Sequence, residues 1–422
     1  MTHSPNYPSS ATIHREQLPN GITVLVYERP GSQSVVIEGY LRAGALAETA
    51  VNSGLASYTA VSLLRGSQNH SFDQIYESLE SVGAEIAFSS GYHLTSLSAQ
   101  CLTEDADLIL ALLADMLRQP TFPESELAQL KGQIITGLQM RTNNTQQMAS
   151  LTFRELIYPN HPYGRSSNGS LQTVPTLTPA DVQQFHASHY GPKGMVICVV
   201  GALPPVQAVA KVKQLFGDWQ NEAQRPLPDL PELEMINGRH HIHHPMPDKH
   251  QSDIILGRPG PTRAAPDYMA ASLMNTVLGV FGMMGRIGKT VREAQGLAYY
   301  AYSSLQGGLG PGAWLAAAGV APDKVEPAIS SILDEITRIQ NEPVPANELA
   351  DSQAYRIGSM PVGLETNGGL AGVITDMELY EWGLDYLHQY PDLIQAVTPD
   401  QLQTAAQKYL STENLGIAVA GP

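Results

Sequence analysis

The segments LTPADVQQFHASHYGPKGMVICVVG, residues 177–201, and VTPDQLQTAAQKYLSTENLGIAVAG, residues 397–421, decide the fold because they follow one pattern. Their threonines Thr178 and Thr398 stand 220 positions apart (398 minus 178), and their final glycines keep the same offset. In each segment the threonine suits a helix N-cap, the proline suits the first helical position, and a Val/Ile-rich strand follows a short break. The repeat spans about half the chain, so the sequence predicts two homologous halves.

The predicted halves are residues 1–220 and residues 240–422. The linker between them, residues 221–239, contains three prolines and four acidic residues, which is typical of an extended connection. Strand patterns such as GITVLVYERP open the first half, and helical patterns such as EDADLILALLADMLRQP follow. Because strands and helices do not alternate strictly, we expect an α+β fold in which each half is a mostly antiparallel or mixed sheet packed with helices.

Composition narrows the range of partners. The 422 residues include 24 Lys+Arg and 40 Asp+Glu, and the resulting net charge of -16 argues against nucleic acid and anionic membranes. The two cysteines, Cys101 and Cys198, lie in apolar runs and form no C-x-x-C pair, which predicts either a reduced compartment or a protein indifferent to redox conditions. No stretch approaches a membrane span or a secretory leader, so we expect a cytoplasmic location.

The segment VREAQGLAYYAYSS, Val291–Ser304, is the strongest candidate for a functional site. Its pattern predicts the end of a helix, a left-handed stop at Gly296, and then a strand. Arg292 and Tyr299 flank this turn, and their donor groups suit a peptide carbonyl or a developing oxyanion. A buried arginine packed on an aromatic ring is the structural alternative. Strand alternation predicts that Tyr300 and Tyr302 share one face, and that Tyr299 shares the other with Ala301.

Several motifs, taken in order, resemble the pitrilysin/insulinase-type zinc metallopeptidases. They are LPNGITVLV, AGALAET, GLASYTAVSLLRGS, NHPYGR, VFGMMGRIGKTVREAQGLAY and VTPDQLQTAAQKYL. The resemblance covers nearly the whole chain and is to the short-chain branch. It is similar in particular to non-catalytic subunits such as the alpha subunit of the mitochondrial processing peptidase. It implies two similar α+β halves per chain, and two chains that close like a clamshell around a peptide.

The zinc motif of that family is degenerate in this chain. Catalytic members carry H-x-x-E-H on one helix, in which two histidines bind zinc and the glutamate activates water. By the resemblance, these three positions are Ser57, Ala60 and Val61. The third ligand of the family, a glutamate, should fall in residues 130–144, where no Asp or Glu occurs. The sequence therefore predicts no metal site in this chain.

Other candidate sites are weaker. The tract RHHIHHPMPDKH is rich in histidine and is a metal hypothesis, but we expect an exposed edge strand there. His186 and His189 stand near a predicted helix end, and we expect them to be structural. The string GMMGRIGKT lacks the spacing and the preceding strand of a P-loop. The resemblance implies instead a glycine-bearing loop containing Gly279, Gly282, Gly285 and Gly288, which is thought to guide substrate in non-catalytic subunits.

Together with the degenerate zinc motif, the resemblance implies the non-metal subunit of a heterodimeric zinc endopeptidase that degrades or processes peptides. Arg292 and Tyr299 are the predicted catalytic and substrate-binding residues, and a homologous H-x-x-E-H subunit is the expected partner and holder of zinc. Alone, the chain is expected to be inactive, and a homodimer is one state open to it. One alternative is a catalytically silent structural or assembly protein, like the respiratory-chain core subunits that share this fold. Another is a module that binds peptides without cleaving them.

Overall fold

A computed structural model describes residues 7–422, except for the side chain of Met284. Its strands form two mixed sheets. The first sheet contains β1 (Ile13–Gln17), β2 (Thr23–Glu28), β3 (Ser34–Leu41), β4 (Glu85–Ser90), β5 (Thr95–Leu102) and β6 (Val196–Gly201). The second contains β7 (Arg239–Pro245), β8 (Ser252–Pro259), β9 (Ala298–Leu305), β10 (Ala313–Val320) and β11 (Leu415–Gly421).

Helices make up most of the remaining structure. The first set is α1 (Leu55–Ser62), α2 (Phe72–Ser81), α3 (Ala106–Arg118), α4 (Glu124–Thr142), α5 (Thr145–Ile157), α6 (Pro179–His189) and α7 (Pro205–Phe216). The second set is α8 (Tyr268–Gly279), α9 (Phe281–Ile287), α10 (Val325–Asn341), α11 (Ala346–Gly363), α12 (Asn367–Leu379), α13 (Tyr386–Gln395) and α14 (Pro399–Tyr409). A π-helical segment, Gly288–Ala294, follows α9 directly.

The two sheets share one topology. The first has the strand order β1-β2-β6-β3-β5-β4, and the second has β7-β11-β8-β10-β9. In both, the strand from the duplicated segment has a neighbour on each side: β6 runs parallel to β2 and antiparallel to β3, and β11 runs parallel to β7 and antiparallel to β8. The predicted α+β class with mixed sheets is confirmed, and β1 is the one strand of the first sheet without a counterpart among the described residues of the second.

The helix starts in the duplicated segments also match the prediction. Thr178 caps α6 by accepting a hydrogen bond from the Asp181 N–H, and Thr398 caps α14 by accepting one from the Gln401 N–H. In both helices the side chain of the third residue returns a bond to the cap backbone, which completes a capping box. Short-range sequence chemistry therefore fixes where these two helices begin.

The chain forms two compact units that differ from the contiguous halves predicted from the repeat. One unit comprises Met1–Gly137, Ser166–Asp229 and Pro361–Gln389, and the other comprises Leu138–Arg165, Leu230–Met360 and Tyr390–Pro422. Each unit therefore takes one segment from the opposite half of the sequence. The borrowed segments contain α5 and α12, whose first residues, Thr145 and Asn367, are separated by nearly the repeat length.

In the first unit, α12 lies against β3 and β6 and is anchored at both ends. At its start, the Asn367 side-chain amide donates to the Ser34 carbonyl oxygen at 3.0 Å. At its end, Arg15 of β1 binds Glu378 through two hydrogen bonds of 2.9 and 2.7 Å. Because bidentate arginine–carboxylate pairs fix orientation as well as distance, this helix has a defined place on the sheet.

In the second unit, α5 packs on β8 and β11. A Cβ atom at Gly416 of β11 would lie 2.8 Å from Ile157 of this helix, so the helix approaches the sheet too closely for any larger residue. The predicted linker, residues 221–239, contains no helix or strand before β7 begins. Among the described residues, none of the helices combines the length and apolar character that a membrane span needs.

We predict that residues 1–220 expressed alone do not form a cooperatively folded unit, because the fragment lacks α12 and leaves the apolar surface of β3 and β6 in water. Co-expression with residues 221–422 should restore a native complex. Thermal unfolding followed by circular dichroism measures this. A sharp transition of the isolated fragment, at the temperature of the intact chain, would contradict it.

We also predict that the protein loses stability in acid because the ring of His186 is buried. Burial lowers the pKa of His186 to about 4, and its Nε2 lies 2.9 Å from the Leu117 carbonyl oxygen, so the folded state holds the ring neutral. The unfolded state takes up a proton below about pH 6.5, and stability present above that pH is therefore lost as pH falls towards about 4, by up to about 3 kcal/mol for this ring. In urea unfolding at pH 7 and 4.5, His186→Gln should lose less stability than the wild type. The exposed His14→Gln is the control. Its loss of unfolding free energy between pH 7 and pH 4.5 should equal that of the wild type.

Candidate functional site

The predicted Arg/Tyr element lies between α9 and β9 in the second unit. Its helical part, Gly288–Ala294, is π-helical and not α-helical, a geometry that is common at functional sites. The predicted stop at Gly296 is confirmed, since its φ is +61° and its N–H donates to the Arg292 carbonyl oxygen at 3.1 Å. The Leu297 N–H donates to the Val291 carbonyl oxygen at 2.9 Å, and the chain then enters β9.

Polar contacts hold the π-helical segment against α10. Thr290 donates its hydroxyl to Glu335 at 2.6 Å, and Ser331 donates to the Gln295 side chain at 3.0 Å. Glu335 is buried, so the bond to Thr290 satisfies one of its oxygens away from water. These contacts therefore fix the backbone that carries Arg292 against α10.

A second contact fixes the preceding helix. Arg286 of α9 binds Glu348 of α11 through two hydrogen bonds of 2.8 and 2.5 Å. Hydrogen bonding to Glu348 raises the pKa of Arg286, so the guanidinium keeps its positive charge in this pair.

The two predicted site residues themselves are accessible. Arg292 is partly exposed, and Tyr299 has 82% of its surface exposed. Within residues 7–422, neither side chain has a hydrogen-bond or ion-pair partner. A buried arginine stacked on an aromatic ring, the structural alternative, therefore does not describe Arg292. Two unpaired donor side chains on one segment are available to a ligand.

Tyr300 and Tyr302 share a face of β9, as predicted, with ring centroids 5.8 Å apart. Regular alternation ends at Tyr299. On the neighbouring strand β10, Gly319 pairs with Tyr300 and Val320 pairs with Ala298, so Tyr299 has no partner and forms a β-bulge. Tyr299 consequently does not share the buried environment of Ala301, which is fully enclosed.

The implied glycine-bearing loop lies within helical segments, interrupted at Gly282 and Gly285 by left-handed φ angles of +64° and +65°. Gly279 ends α8, Gly282 and Gly285 lie in α9, and Gly288 opens the π-helical segment. Close packing explains two of these glycines: a Cβ at Gly279 would lie 2.1 Å from the Ser303 nitrogen, and one at Gly285 would lie 2.5 Å from the Gly279 nitrogen. The same helical geometry excludes the strand, loop and helix of a P-loop at this place.

A buried amide joins α8 to the sheet, and sequence analysis did not identify it. Asn275 accepts hydrogen bonds from Ser303 of β9 at 2.7 Å and from the Trp314 indole of β10 at 3.0 Å. Trp314 is 1% exposed. The only sequence signal was an amide side chain within the largely apolar run SLMNTVLG, since an amide in such a run needs buried partners.

The degenerate zinc positions lie on α1 in the first unit. Ser57 donates its hydroxyl to the Asn168 side-chain oxygen at 3.2 Å. Ala60 is fully buried, and Val61 packs against the hydrophobic core of this unit. A hydroxyl already engaged with an amide, a methyl group and an isopropyl group do not form a zinc site, because zinc requires imidazole, thiolate or carboxylate ligands.

Other contacts make α1 a structural helix. Glu48 accepts hydrogen bonds from the Gly54 and Ala56 N–H groups at 3.0 and 2.6 Å, and so satisfies the helix N-terminus. Tyr58 donates to the Leu127 carbonyl oxygen at 2.6 Å, and burial raises the pKa of Tyr58 to about 12. In residues 130–144, where the third ligand was expected, Gln133 of α4 accepts a hydrogen bond from Arg65 at 3.2 Å.

The histidine tract forms β7, which is an exposed edge strand as predicted. His240 and His243 have Nε2 atoms 2.8 and 3.1 Å from the carbonyl oxygens of Asn237 and Gly421. His161 accepts a hydrogen bond from the Tyr163 N–H at 3.1 Å, and burial lowers the pKa of His161. Across the described part of the chain, no three His, Cys, Asp or Glu side chains are grouped so as to hold a metal ion.

Comparison with known families gives two matches. The model described as "Insulinase (Peptidase family M16)" matches residues 23–169, and the model described as "Peptidase M16 inactive domain" matches residues 176–355. Together they include α1 and the Arg/Tyr element. An uncharacterized zinc protease of Streptomyces coelicolor is 26% identical over 415 residues, which cover 97% of this chain and 90% of the relative.

Solved structures give the same result for the fold. The crystal structure of a peptidase M16 inactive domain from Pseudomonas fluorescens has a TM-score of 0.86 and 26% identity, and the alignment covers 97% of this chain and 98% of that one. A protease from Helicobacter pylori has a TM-score of 0.91 at 18% identity, with coverage of 97% and 99%. The second likeness concerns the fold alone.

We predict that Gly279→Ala destabilises the chain by about 1–3 kcal/mol, since the added methyl group overlaps β9 at Ser303. Gly358→Ala is the matched control: Gly358 lies exposed within α11, with no atom within 4 Å of an added Cβ. The control should be neutral or stabilising by up to about 1 kcal/mol. Urea unfolding of both variants measures the difference, and equal stabilities would show that the close approach of α8 to β9 is wrong.

Proposed function

Because this chain belongs to the insulinase family of zinc peptidases, family M16, we propose that it is the metal-free subunit of a two-chain zinc endopeptidase. In this proposal it supplies substrate-binding and transition-state-stabilising groups. The observation that carries the proposal is a contrast within one chain. The residues of α1 that correspond to zinc ligands have no ligand chemistry, whereas Arg292 and Tyr299 remain accessible and have no side-chain partners among residues 7–422.

The chemistry of Arg292 and Tyr299 fits peptide hydrolysis. A guanidinium group offers several N–H donors in a fixed plane, and a phenol offers one O–H donor. When the scissile carbonyl becomes tetrahedral, charge grows on its oxygen, and donors already aimed at that oxygen lower the barrier. We propose that Tyr299 donates to this oxygen and that Arg292 holds a carbonyl or carboxylate of the peptide. Neither donor must first break an internal bond, so little energy is lost in reorganisation.

The position of β9 supports an extended peptide as the ligand. β9 is the last strand of its sheet in the order β7-β11-β8-β10-β9, so one side of its backbone has no neighbouring strand in the described part of the chain. Edge strands bind extended peptides through backbone hydrogen bonds. In our proposal, Tyr299 therefore lies next to backbone groups that can orient a substrate segment.

The partner in this proposal is a homologous chain that carries H-x-x-E-H. That chain would bind Zn²⁺ and supply the metal-activated water, while the present chain would bind and orient the peptide. Without the partner we expect a homodimer that lacks peptidase activity. The cysteines Cys101 and Cys198 are buried free thiols, and burial raises their pKa values to about 11 and about 12. Unreactive thiols of this kind suit the reducing cytoplasm, where we place the complex.

Reconstitution tests the proposed function. The chain is mixed with its H-x-x-E-H homologue, and turnover of an unstructured fluorogenic peptide is measured. We predict that the present chain alone is inactive, that Tyr299→Phe lowers kcat of the mixture by about a hundred- to a thousandfold, the usual cost of one lost oxyanion donor, and that Arg292→Ala lowers kcat/KM because a contact to the peptide is lost. Lys289→Ala, on the same π-helical segment, and Tyr302→Phe, on the same strand, are the matched controls and should retain activity.

Two results would contradict this assignment. Full activity of both the Arg292 and the Tyr299 variants would remove the proposed roles of these residues. A stable homodimer that neither binds the H-x-x-E-H homologue nor supports any peptide turnover would favour the structural or assembly protein. Peptide affinity of the isolated chain, measured by fluorescence anisotropy, separates that outcome from a module that binds peptides without cleaving them.

A further inference from the structure

The side chain of Tyr300 crosses a neighbouring strand to reach β8. β10 lies between β8 and β9, and its Gly319 is paired with Asp253 of β8 on one side and with Tyr300 of β9 on the other. The Tyr300 ring lies over Gly319, where a Cβ atom would be 2.5 Å from the ring carbon Cε1. The Tyr300 hydroxyl then donates to the Asp253 carboxylate. Only glycine at position 319 leaves room for this arrangement.

Asp253 is a buried charge, with 1% of its surface exposed. Besides Tyr300, its carboxylate accepts a hydrogen bond of 2.5 Å from Thr145, the first residue of α5, and contacts of 3.2 Å from Gln251. Burying this carboxylate without hydrogen-bond donors would cost free energy. The folded state therefore favours the conformation in which each donor keeps its bond to Asp253. One carboxylate thus connects β8, β9 and α5. Burial and the bond to Asp253 also raise the pKa of Tyr300, which keeps its phenol protonated as a donor.

The hydrogen bond between Tyr300 and Asp253 lies next to the β-bulge at Tyr299. The residue immediately before Tyr300 is Tyr299, which has no partner on β10. Bulges often redirect a side chain next to a binding site. An edge strand paired on one side only is prone to change its register, and a shift of one residue moves every side chain to the other face. A contact that fixes Tyr300 to a buried group two strands away therefore fixes the bulge as well.

We propose that Tyr300 and Asp253 are positioning residues: they hold the register of β9 and thereby keep Tyr299 directed away from the sheet, towards bound peptide. The role of Tyr299 rests on the proposed function, whereas the register of β9 does not. Tyr300 and Asp253 do not touch substrate in this proposal, and they act through Tyr299.

The first test is spectroscopic and needs no partner chain. 3-Fluorotyrosine placed at position 299 reports its surroundings by ¹⁹F NMR, and hydrogen exchange followed by mass spectrometry reports the protection of β9. In Tyr300→Phe, we expect the ¹⁹F resonance to shift or split and β9 amides to exchange at least about tenfold faster, while β8 and β11 stay protected. Tyr302→Phe, on the same face of the same strand, is the control and should change neither signal.

Asp253→Asn keeps an acceptor but weakens the bond to Tyr300, and it should give the same pattern as Tyr300→Phe. If both variants fold and show the wild-type ¹⁹F resonance and β9 exchange, the positioning role is wrong. The role is also wrong if Tyr302→Phe produces the same changes as Tyr300→Phe.

The second test uses the reconstituted peptidase. If Tyr300 acts through Tyr299, Tyr300→Phe should lower kcat, and the double variant Tyr299→Phe/Tyr300→Phe should be no slower than Tyr299→Phe alone. Multiplied losses in the double variant would contradict action through Tyr299. Full activity of Tyr299→Phe would instead contradict the catalytic role proposed for Tyr299, and the register of β9 would still be decided by the NMR and exchange measurements.

Discussion

The second unit depends on the buried carboxylate of Asp253. A charge in this position is stable only with donors around it, and the donors come from three different parts of the chain: Thr145 at the start of α5, Gln251 beside β8, and Tyr300 on β9. The same requirement explains why β10 has a glycine at 319, because a larger residue would block Tyr300 from the carboxylate. The position of Tyr300, next to Tyr299 on β9, is thus tied to the burial of this carboxylate.

The surroundings of that element are rigid for independent reasons. Asn275 joins α8 to β9 and β10, Glu335 holds Thr290, and Glu348 holds Arg286. Arg292 and Tyr299 are the exceptions, since they have no partners among the described residues. Rigid support around unpaired donors is the arrangement expected of a preorganised binding site. In α1, by contrast, the side chains of Ser57, Ala60 and Val61 are engaged in packing and local hydrogen bonds and are not available to a ligand.

The sequence predicted those features that depend on local chemistry or on the repeat. The Thr-Pro caps of α6 and α14, the stop at Gly296 and the edge strand β7 follow from short patterns, and the repeat anticipated the shared strand order. The sequence did not predict that α5 and α12 each pack in the unit formed mainly by the other half of the chain. The pattern of an amphipathic helix does not specify which sheet the helix covers. The bulge at Tyr299 was missed because it depends on pairing with β10. Gly319 within an apolar strand was the available signal, since glycine there often marks a close approach.

The central claim is that this chain takes part in peptide hydrolysis without holding the metal. Native mass spectrometry of the complex with its H-x-x-E-H homologue, followed by dissociation of the two chains in the gas phase, tests it most directly. The account predicts one zinc ion per heterodimer, which stays with the homologue when the chains separate. A zinc ion retained by the present chain, in stoichiometric amount and in the absence of the homologue, would contradict it.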